Sequence, residues 1–301
     1  MSPDDFALAL RALGTPLFLD DTGTPTLLGT EYAGTTDAGA EVRVTRLAPQ
    51  LTNALRNPDA FVRVVERHGY LGAGVAGSSL FIVEPRLTGE TLEARIAREG
   101  PVAPTRLAPI AIAATRQLAH SLSTSGAHGL ITPATLRIDD AGRVLLRWSG
   151  IVPGLVAAGA DASSVMQYLG AGDYLAPEVA AGGSFDARAD IYAMGATLYA
   201  ATTGRPPFGG RTTASTMAAV LTDESVSEAS PARRLTGAVL RAIEHEPADR
   251  WSDPGQFVRA IEGSPAPSVV SRAPRQRRRA GTTVAIGAIG AILYLVWRLT
   301  R

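Results

Sequence analysis

Four short sequence elements follow one another in the second half of this 301-residue chain, and they restrict its fold more than any other feature. They are Ala-Pro-Glu from Ala176, Asp-Ile-Tyr-Ala-Met-Gly from Asp190, Thr-Gly-Arg-Pro-Pro-Phe from Thr203 and Glu-Pro-Ala-Asp-Arg-Trp-Ser from Glu246. Any one of these elements would be a weak indication of a fold. Because all four occur in a fixed order, coincidence on an unrelated fold is the least favoured interpretation.

The front part of the chain has the pattern of a small β-rich lobe. Strands are predicted at Thr26–Gly29, Tyr32–Thr35, Glu41–Leu47 and Ser79–Pro85, because apolar and β-branched residues are bounded there by Gly, Asp and Thr turns. A helix is predicted at Pro58–His68.

Helices dominate the rest of the globular region. A hairpin with strands Thr135–Ile138 and Arg143–Leu146 interrupts them, because Asp139-Asp-Ala-Gly is a strong turn signal. With 46% apolar residues the chain can bury a sizeable core, so residues 1–262 are predicted to form one α+β domain, with lobes at 1–85 and 86–262. The predicted helices are Thr91–Glu99, Pro104–Thr124, Arg188–Thr203, Thr213–Leu221, Leu235–His245 and Pro254–Ile261.

The four elements resemble the activation segment, central helix and C-terminal region of eukaryotic-like bacterial Ser/Thr protein kinases. The resemblance implies a two-lobed kinase-like fold with a reduced N-lobe. It also implies that Glu178 and Arg250 form a shielded ion pair, and that Asp190 accepts backbone N–H bonds from the catalytic loop. His128 and Gly150 are further structural positions that the resemblance implies.

The phosphate-binding lysine of the family motif V-A-I-K has no counterpart here. The matching strand reads Val42-Arg-Val-Thr, so Thr45 stands in its place, and the whole chain contains no lysine. Arg43 points to the same face and is an alternative cation, although it lies about 6–7 Å further back along the strand.

The catalytic loop motif H-R-D-x-K-P-x-N is represented by residues 128–135, which read His-Gly-Leu-Ile-Thr-Pro-Ala-Thr. By the resemblance, Leu130 stands at the base aspartate, Thr132 at the lysine and Thr135 at the metal-binding asparagine. A leucine has no lone pair to offer a hydroxyl group or a metal. His128 is an alternative base, but its family role is structural.

The metal-binding motif D-F-G reads Trp148-Ser-Gly, and an indole cannot ligate Mg²⁺. Asp139 and Asp140 lie nearby in the sequence as alternative ligands, yet their position predicts a hairpin turn. The glycine-rich loop is also eroded after Gly29, since Gly34 and the later Gly39 have the pattern of turn glycines.

These substitutions predict a catalytically inactive kinase-like protein, a pseudokinase, that needs no cofactor and no metal. We expect it to act in signalling as a cytoplasmic scaffold or regulatory interaction module. The alternative is an atypical Ser/Thr kinase, or a pseudokinase that still binds ATP.

A transmembrane helix is predicted at Gly281–Leu299. Residues Thr282–Trp297 carry no charge, and a helix over the longer range would be roughly 28 Å long, close to the ~30 Å hydrocarbon core. A buried core helix is the alternative, but the Pro/Ser/Arg-rich linker at 263–280 separates this segment from the globular part.

The charges that flank this helix predict its orientation. Arg277, Arg278 and Arg279 precede it, so the positive-inside rule places the N-terminal domain in the cytoplasm and the C-terminus outside a single-pass cell-membrane protein. We expect these arginines to contact anionic lipid. The N-terminus has acidic residues where a secretory signal would be basic, so no signal peptide is predicted.

The predicted partners are membrane lipid and a cytoplasmic protein, either a true kinase or a phosphopeptide-binding protein. Ser163 and Ser164 lie in the predicted activation segment, Ile151–Tyr174, and are candidate phosphorylation sites, with solvated loop residues as the alternative. The net charge of +1 gives no overall field for nucleic acid, and the absence of cysteine excludes disulfides and thiolate metal sites.

Overall fold

The computed structural model describes residues 17–19, 22–53, 55–76, 79–207 and 230–263. The predicted helix at Thr213–Leu221, the membrane segment Gly281–Leu299 and the arginines Arg277, Arg278 and Arg279 lie outside the described residues. Within the described ranges, no helix is both long enough and apolar enough to cross a membrane.

An antiparallel sheet forms the first lobe. Its described strands run in the order β1-β3-β4-β6-β5. Strand β2 pairs with Thr30 and Glu31 of β3, whereas β1 pairs with residues 34–36 of the same strand. The strands are β1 (Leu17–Leu19), β2 (Thr24–Pro25), β3 (Gly29–Thr36), β4 (Glu41–Leu47), β5 (Gly72–Ala76) and β6 (Ser79–Pro85).

Two strand-level predictions for this lobe are wrong. Residues Thr26–Gly29 form a turn, closed by hydrogen bonds of 2.7 and 3.2 Å between the two end residues, and the strand begins only at Gly29. Gly34 is not a turn glycine but lies inside β3, opposite Val42 of β4. Gly39 does occupy the β3–β4 turn, where its φ of 79° suits glycine.

Alternation along β4 separates the two faces of this sheet. Val42 and Val44 are buried with Phe81 and Val83 of β6 on one face. Arg43, Thr45 and Leu47 point to the opposite face, because successive side chains of a strand alternate. The charged side chain of Arg43 therefore projects from the sheet face opposite Val42 and Val44.

A helical lobe follows, with a small second sheet at its start. That sheet has the strand order β7-β8-β9, with β7 at Glu90–Thr91, β8 at Leu136–Ile138 and β9 at Val144–Leu146. The described helices are α1 (Pro49–Thr52), α2 (Pro58–Val65), α3 (Leu92–Glu99), α4 (Pro104–Thr124), α5 (Ile151–Ala157), α6 (Ala162–Tyr168), α7 (Pro177–Ala180), α8 (Ala187–Thr203), α9 (Pro231–Ala242) and α10 (Pro254–Glu262).

Helix α8 runs through the middle of the helical lobe. The Asp186 side chain caps it by accepting hydrogen bonds of 2.9 Å from the backbone N–H groups of Arg188 and Ala189. At Gly195 an added Cβ would lie 2.7 Å from Ala242 Cβ, so the missing side chain allows α8 to approach α9 closely. The core of this lobe is built around α4, α8, α9 and α10.

Helix α9 begins and ends earlier than the predicted Leu235–His245. Ser230 caps it by accepting from the N–H of Arg233, and Pro231 occupies the first turn, where a missing N–H is harmless. The predicted β-hairpin turn is present, since Asp139 Oδ1 accepts from the N–H groups of Ala141 and Arg143 at 3.0 and 2.7 Å.

Candidate functional site in the interlobe cleft

Asp190, at the start of α8, holds the loop that begins at His128. Its carboxylate accepts from the backbone N–H of His128 at 2.7 Å and of Gly129 at 2.8 Å. Burial raises the pKa of Asp190 to about 7, although these two hydrogen bonds act in the opposite direction. Each carboxylate oxygen of Asp190 therefore accepts a hydrogen bond from the loop backbone.

The structure brings Glu178 and Arg250 together as a two-pronged ion pair, with N–O distances of 2.7 and 2.8 Å. The guanidinium is 1% exposed and also donates to the carbonyl oxygens of Glu244, His245 and Arg188. Burial alone would raise the pKa of Glu178, but the hydrogen bond and charge of Arg250 hold it below its usual value. This pair ties α7 to the segment before α10.

A cluster of charges joins the two lobes across the cleft. Arg147, just after β9, donates to Glu31 Oε2 of β3 at 2.9 Å and to Glu84 Oε2 of β6 at 2.8 Å. Arg43 of β4 pairs with the other oxygen of Glu31. We call Glu31, Arg43, Glu84 and Arg147 the cleft cluster.

Strand register explains how the cleft cluster assembles. Arg43 lies directly opposite Glu84, and Glu31 is opposite Thr45, so all three charged side chains leave the same face of the sheet. Arg147 comes from the helical lobe, and its guanidinium lies 4.8 Å from the centre of the Trp148 ring. The cluster therefore ties the two lobes together across the cleft.

The surroundings of Glu31 and Arg147 favour the ionised forms of these two side chains. Burial alone would raise the pKa of Glu31, but Arg147 and then Arg43 hold it below its usual value. Burial likewise opposes the charge of Arg147, yet Glu84 and Glu31 raise its pKa. Two cations and two carboxylates leave the cluster with no net charge.

A sequence model of the protein kinase domain matches residues 71–252, more than half of the chain. The chain belongs to the protein kinase domain family. The predicted family and the two-lobed α+β kinase fold are thereby confirmed.

Bacterial Ser/Thr kinases are among the relatives of this kinase-like chain. It is 31% identical over 203 residues to a probable serine/threonine-protein kinase, CE0033, of Corynebacterium efficiens, covering 65% of this chain and 31% of that protein. It is 29% identical over 210 residues to serine/threonine-protein kinase PknB of Mycobacterium tuberculosis, covering 66% and 34%. For PknB of Mycobacterium leprae the identity is 30% over 216 residues, covering 66% and 34%. The match therefore spans about a third of the length of these relatives.

Thr45, which the sequence analysis placed at the lysine position, is fully buried in β4, and its Oγ1 has no hydrogen-bond partner among the described residues. Leu130 is fully buried in the same apolar core as Trp148. Thr135 closes a local turn, since its Oγ1 accepts from Thr132 N at 2.9 Å and donates to Thr132 O at 3.0 Å. These side chains serve packing and local backbone structure.

Trp148, which the sequence analysis placed at the metal-binding aspartate, has a φ of 64°. A side chain in this left-handed region costs about 1–2 kcal/mol, which the packing of the indole ring in the core offsets. Asp139 is held in its hairpin turn by Arg143 Nε at 2.7 Å. The part of the chain that the structure describes contains no group of three or more His, Cys, Asp or Glu placed to hold a metal ion.

Most of the predicted activation segment, Ile151–Tyr174, forms helices α5 and α6. Solvated loop residues were the alternative that the sequence analysis considered for Ser163 and Ser164. Helix α5 packs on α2, and at Gly154 an added Cβ would lie 3.0 Å from the Phe61 ring. Ser163 and Ser164 lie in α6, where Asp161 caps the helix by accepting from Ser164 N and Oγ, both at 2.8 Å. The turn signal Gly159-Ala-Asp161 before α6 was available in the sequence.

Sequence reasoning missed most of the cleft cluster. Arg43 was noticed as a cation, but Glu31, Glu84 and Arg147 were not singled out. The signal was present, because Glu31 and Glu84 are acidic residues within otherwise apolar or small strand sequences. Their pairing depends on β3, β4 and β6 lying side by side, which no local pattern specifies.

Proposed function

We propose that this protein is a membrane-anchored pseudokinase that acts as a cytoplasmic scaffold or regulatory interaction module. The observation that carries the proposal is that the side chains at the positions that the resemblance assigns to catalysis, Thr45, Leu130 and Trp148, are uncharged and buried. Phosphoryl transfer depends on charge at the phosphates, metal ligands and a base that orients the hydroxyl group.

ATP and Mg²⁺ do not fit the side chains of this cleft. The four family positions hold Thr45, Leu130, Thr135 and Trp148, which provide no carboxylate and no cation. The arginines that are present are already paired with glutamates. A triphosphate would have to separate a buried ion pair, and breaking such a pair from one side typically costs ~3–5 kcal/mol.

The packing of the activation segment also supports an inactive fold. Ile151, Val152 and Leu155 of α5 are fully buried beside Phe61 of α2. Exposing this segment to a peptide substrate would remove three apolar side chains from the core, each worth about 1.5–3 kcal/mol of burial. We infer that the segment serves as a structural part of the interlobe core.

The interaction role involves a surface that a true kinase can modify. Ser164 is exposed at the N-terminal end of α6, where added phosphate is favoured by the helix dipole but opposed by Asp161. Ser163 reaches the carbonyl of Ala180 at 3.5 Å. In this proposal either phosphoserine is recognised by a phosphopeptide-binding partner beside the membrane, to which the predicted segment Gly281–Leu299 anchors the chain.

A nucleotide titration of the full chain in detergent micelles tests the inactive assignment. We expect the melting temperature to stay constant as ATP is added, with or without Mg²⁺, and no phosphate transfer to the chain itself or to a generic protein substrate. A related Ser/Thr kinase is the positive control. Ligand at 100 times its Kd would add about 2.7 kcal/mol of stability, so Mg²⁺-dependent stabilisation with autophosphorylation would overturn the proposal.

An active or nucleotide-binding kinase is the second candidate function. The observation that favours it is the similarity to named Ser/Thr kinases, together with the position of Arg43 and Arg147 in the cleft. In that case the arginines would leave Glu31 and Glu84 and contact phosphate. The same titration separates the two candidates, because only this one predicts stabilisation by ATP.

A further inference from the structure

One face of the first-lobe sheet carries an apolar cluster that points away from the cleft cluster. Its members come from β4 and β6 and are Val42, Val44, Phe81 and Val83, which we call the outer cluster. Each of the four is at most 4% exposed. Among the described residues, Leu19 of β1 and Tyr32 of β3 pack against them, and none of the described helices contributes a side chain to this cluster.

The neighbours of the outer cluster within the sheet are too small to bury it. Three of its members lie directly opposite glycines, in the pairs Val42–Gly34, Phe81–Gly74 and Val83–Gly72. Directly opposite residues of an antiparallel pair share one face, and these glycines have no side chain to place there. Helices α2 and α5 contribute to the apolar cluster on the other face of the sheet. An apolar sheet face is buried by a second layer, and the described helices do not provide that layer for the outer cluster.

Residues 1–16 immediately precede β1 and lie outside the described residues, and their sequence has the signals that begin and end a helix. Ser2 and Asp5 have the spacing of a capping box, and Pro3 suits the first helical position. Gly14 and Pro16 are typical of the residues that follow a helix. The sequence therefore predicts a helix at residues 3–13.

The apolar residues of this predicted helix form a stripe along one side. Phe6, Ala9, Leu10 and Leu13 occupy positions i, i+3, i+4 and i+7, the pattern of a helix that packs one side on an apolar surface. Leu8 falls on the other side, because two residues at about 100° per residue place it roughly 160° from Leu10. The stripe therefore needs an apolar surface of its own.

The position of β1 places this segment beside the outer cluster. Strand β1 is at the edge of the sheet, and its Leu19 already packs against the cluster. A helix at residues 3–13 would be about 16 Å long, and the strands from β1 to β5 together span about 19 Å at ~4.8 Å per strand. The longer segments 208–229 and 264–301, which also lie outside the described residues, instead leave from the helical lobe after α8 and α10.

We propose that residues 3–13 form an amphipathic helix that lies across the outer face of the first-lobe sheet, with Phe6, Leu10 and Leu13 packed on the outer cluster. The glycines opposite the cluster leave room for these large side chains. The helix covers β4 and β6 from the side opposite the cleft cluster. This inference is independent of the proposed scaffold function, since no residue of the outer cluster belongs to the cleft cluster.

Cysteine protection in the full chain tests the docking without background, because the chain has no cysteine of its own. Leu8→Cys and Leu10→Cys are a matched pair on opposite sides of the predicted helix. In detergent micelles we expect a water-soluble maleimide to label Leu10→Cys roughly tenfold or more slowly than Leu8→Cys, because only position 10 faces the sheet. In concentrated urea both variants should react at the same rate. Equal rates in the folded chain would contradict the docked helix.

A nitroxide spin label on Leu8→Cys identifies the surface to which the segment docks, because it broadens the NMR signals of nearby groups. We expect the valine methyl signals of the outer cluster to broaden, whereas those of Val239 in α9 should keep their widths. A mixed sample, with the spin label on one copy and isotope-labelled valines on another, should show no broadening. Unbroadened outer-cluster valines would mean that the segment docks elsewhere, and broadening in the mixed sample would assign the face to a second copy. Either result would overturn the proposal.

Discussion

Replacing Arg147 by methionine removes the guanidinium that reaches both Glu31 at 2.9 Å and Glu84 at 2.8 Å. Glu31 keeps Arg43, but Glu84 is 7% exposed and loses the cation that faces it in the cleft. A buried charge left alone typically costs ~3–5 kcal/mol. For a domain of this size we expect the melting temperature to fall by roughly 6–20 °C at pH 7.

The assay is thermal and urea denaturation of the full chain in detergent micelles, followed by tryptophan fluorescence. Arg143→Met is the matched control, because the Arg143 side chain is 80% exposed and Asp139, the buried carboxylate that it pairs with, keeps its hydrogen bonds from the N–H groups of Ala141 and Arg143. Losing an exposed cation of that kind typically costs ~0.2–1 kcal/mol. The triple variant Glu31→Gln, Glu84→Gln, Arg147→Met should recover most of the lost stability, because it leaves no buried carboxylate without a cation, and Arg43, the member that remains, has the most exposed side chain of the four.

Acidification provides an independent check of the same reasoning. The pKa of Glu31 is lowered in the folded protein, so its stabilisation is present above the unfolded pKa of ~4.3 and is lost as pH falls through the folded value. The stability difference between wild type and Arg147→Met should therefore shrink as pH is lowered below ~4.3, towards the folded pKa of Glu31. If Arg147→Met proves as mild as Arg143→Met at pH 7, the cleft is open to water and the interlobe cluster is not a structural tie.

Three further predictions concern other parts of the chain. Arg250→Ala should lower the free energy of unfolding by ~3–5 kcal/mol in the same urea assay, because it leaves Glu178 and several carbonyl oxygens unpaired, and unchanged melting would contradict the assigned pair. Gly154→Leu should cost ~1–3 kcal/mol by overpacking α5 against α2, whereas Gly237→Ala in α9, with open space around it, should add ~0.4–1 kcal/mol. Deleting Thr282–Arg301 should move the protein to the soluble fraction on cell fractionation, and persistence in the membrane fraction would refute the anchor.

Elements with strong local signals were predicted well. Helix α4 has the predicted bounds, Pro104–Thr124, and β6 has the predicted bounds, Ser79–Pro85. In α4 a proline at the first turn marks the start, and in β6 an unbroken apolar run marks a buried strand. Where the signal was a single glycine, as at Gly34, local sequence could not distinguish a turn from a strand.

The activation segment shows why tertiary context was decisive for the candidate site. Gly154 and Pro153 sit inside α5, where helix propensity alone would place a loop. The helix forms because Ile151, Val152 and Leu155 find an apolar surface on α2, almost a hundred residues earlier in the chain. The sequence left solvated loop residues as one alternative for Ser163 and Ser164, and the family resemblance carried no information about the contact between α5 and α2.

The charged residues of a kinase fold fall into two groups, structural and catalytic. The groups differ in whether their charge is balanced by the chain itself or by a bound ligand. Asp190, Glu178 and Arg250 are satisfied by groups of the chain itself, so they stabilise the fold with or without a nucleotide. Catalytic charges are different, because an unpaired lysine or aspartate in a closed cleft is unfavourable until a phosphate or a metal compensates it. Under the proposed function the cleft needs no such charge: the positions that the resemblance assigns to catalysis hold Thr45, Leu130 and Trp148, and the charges of the cleft cluster pair with one another.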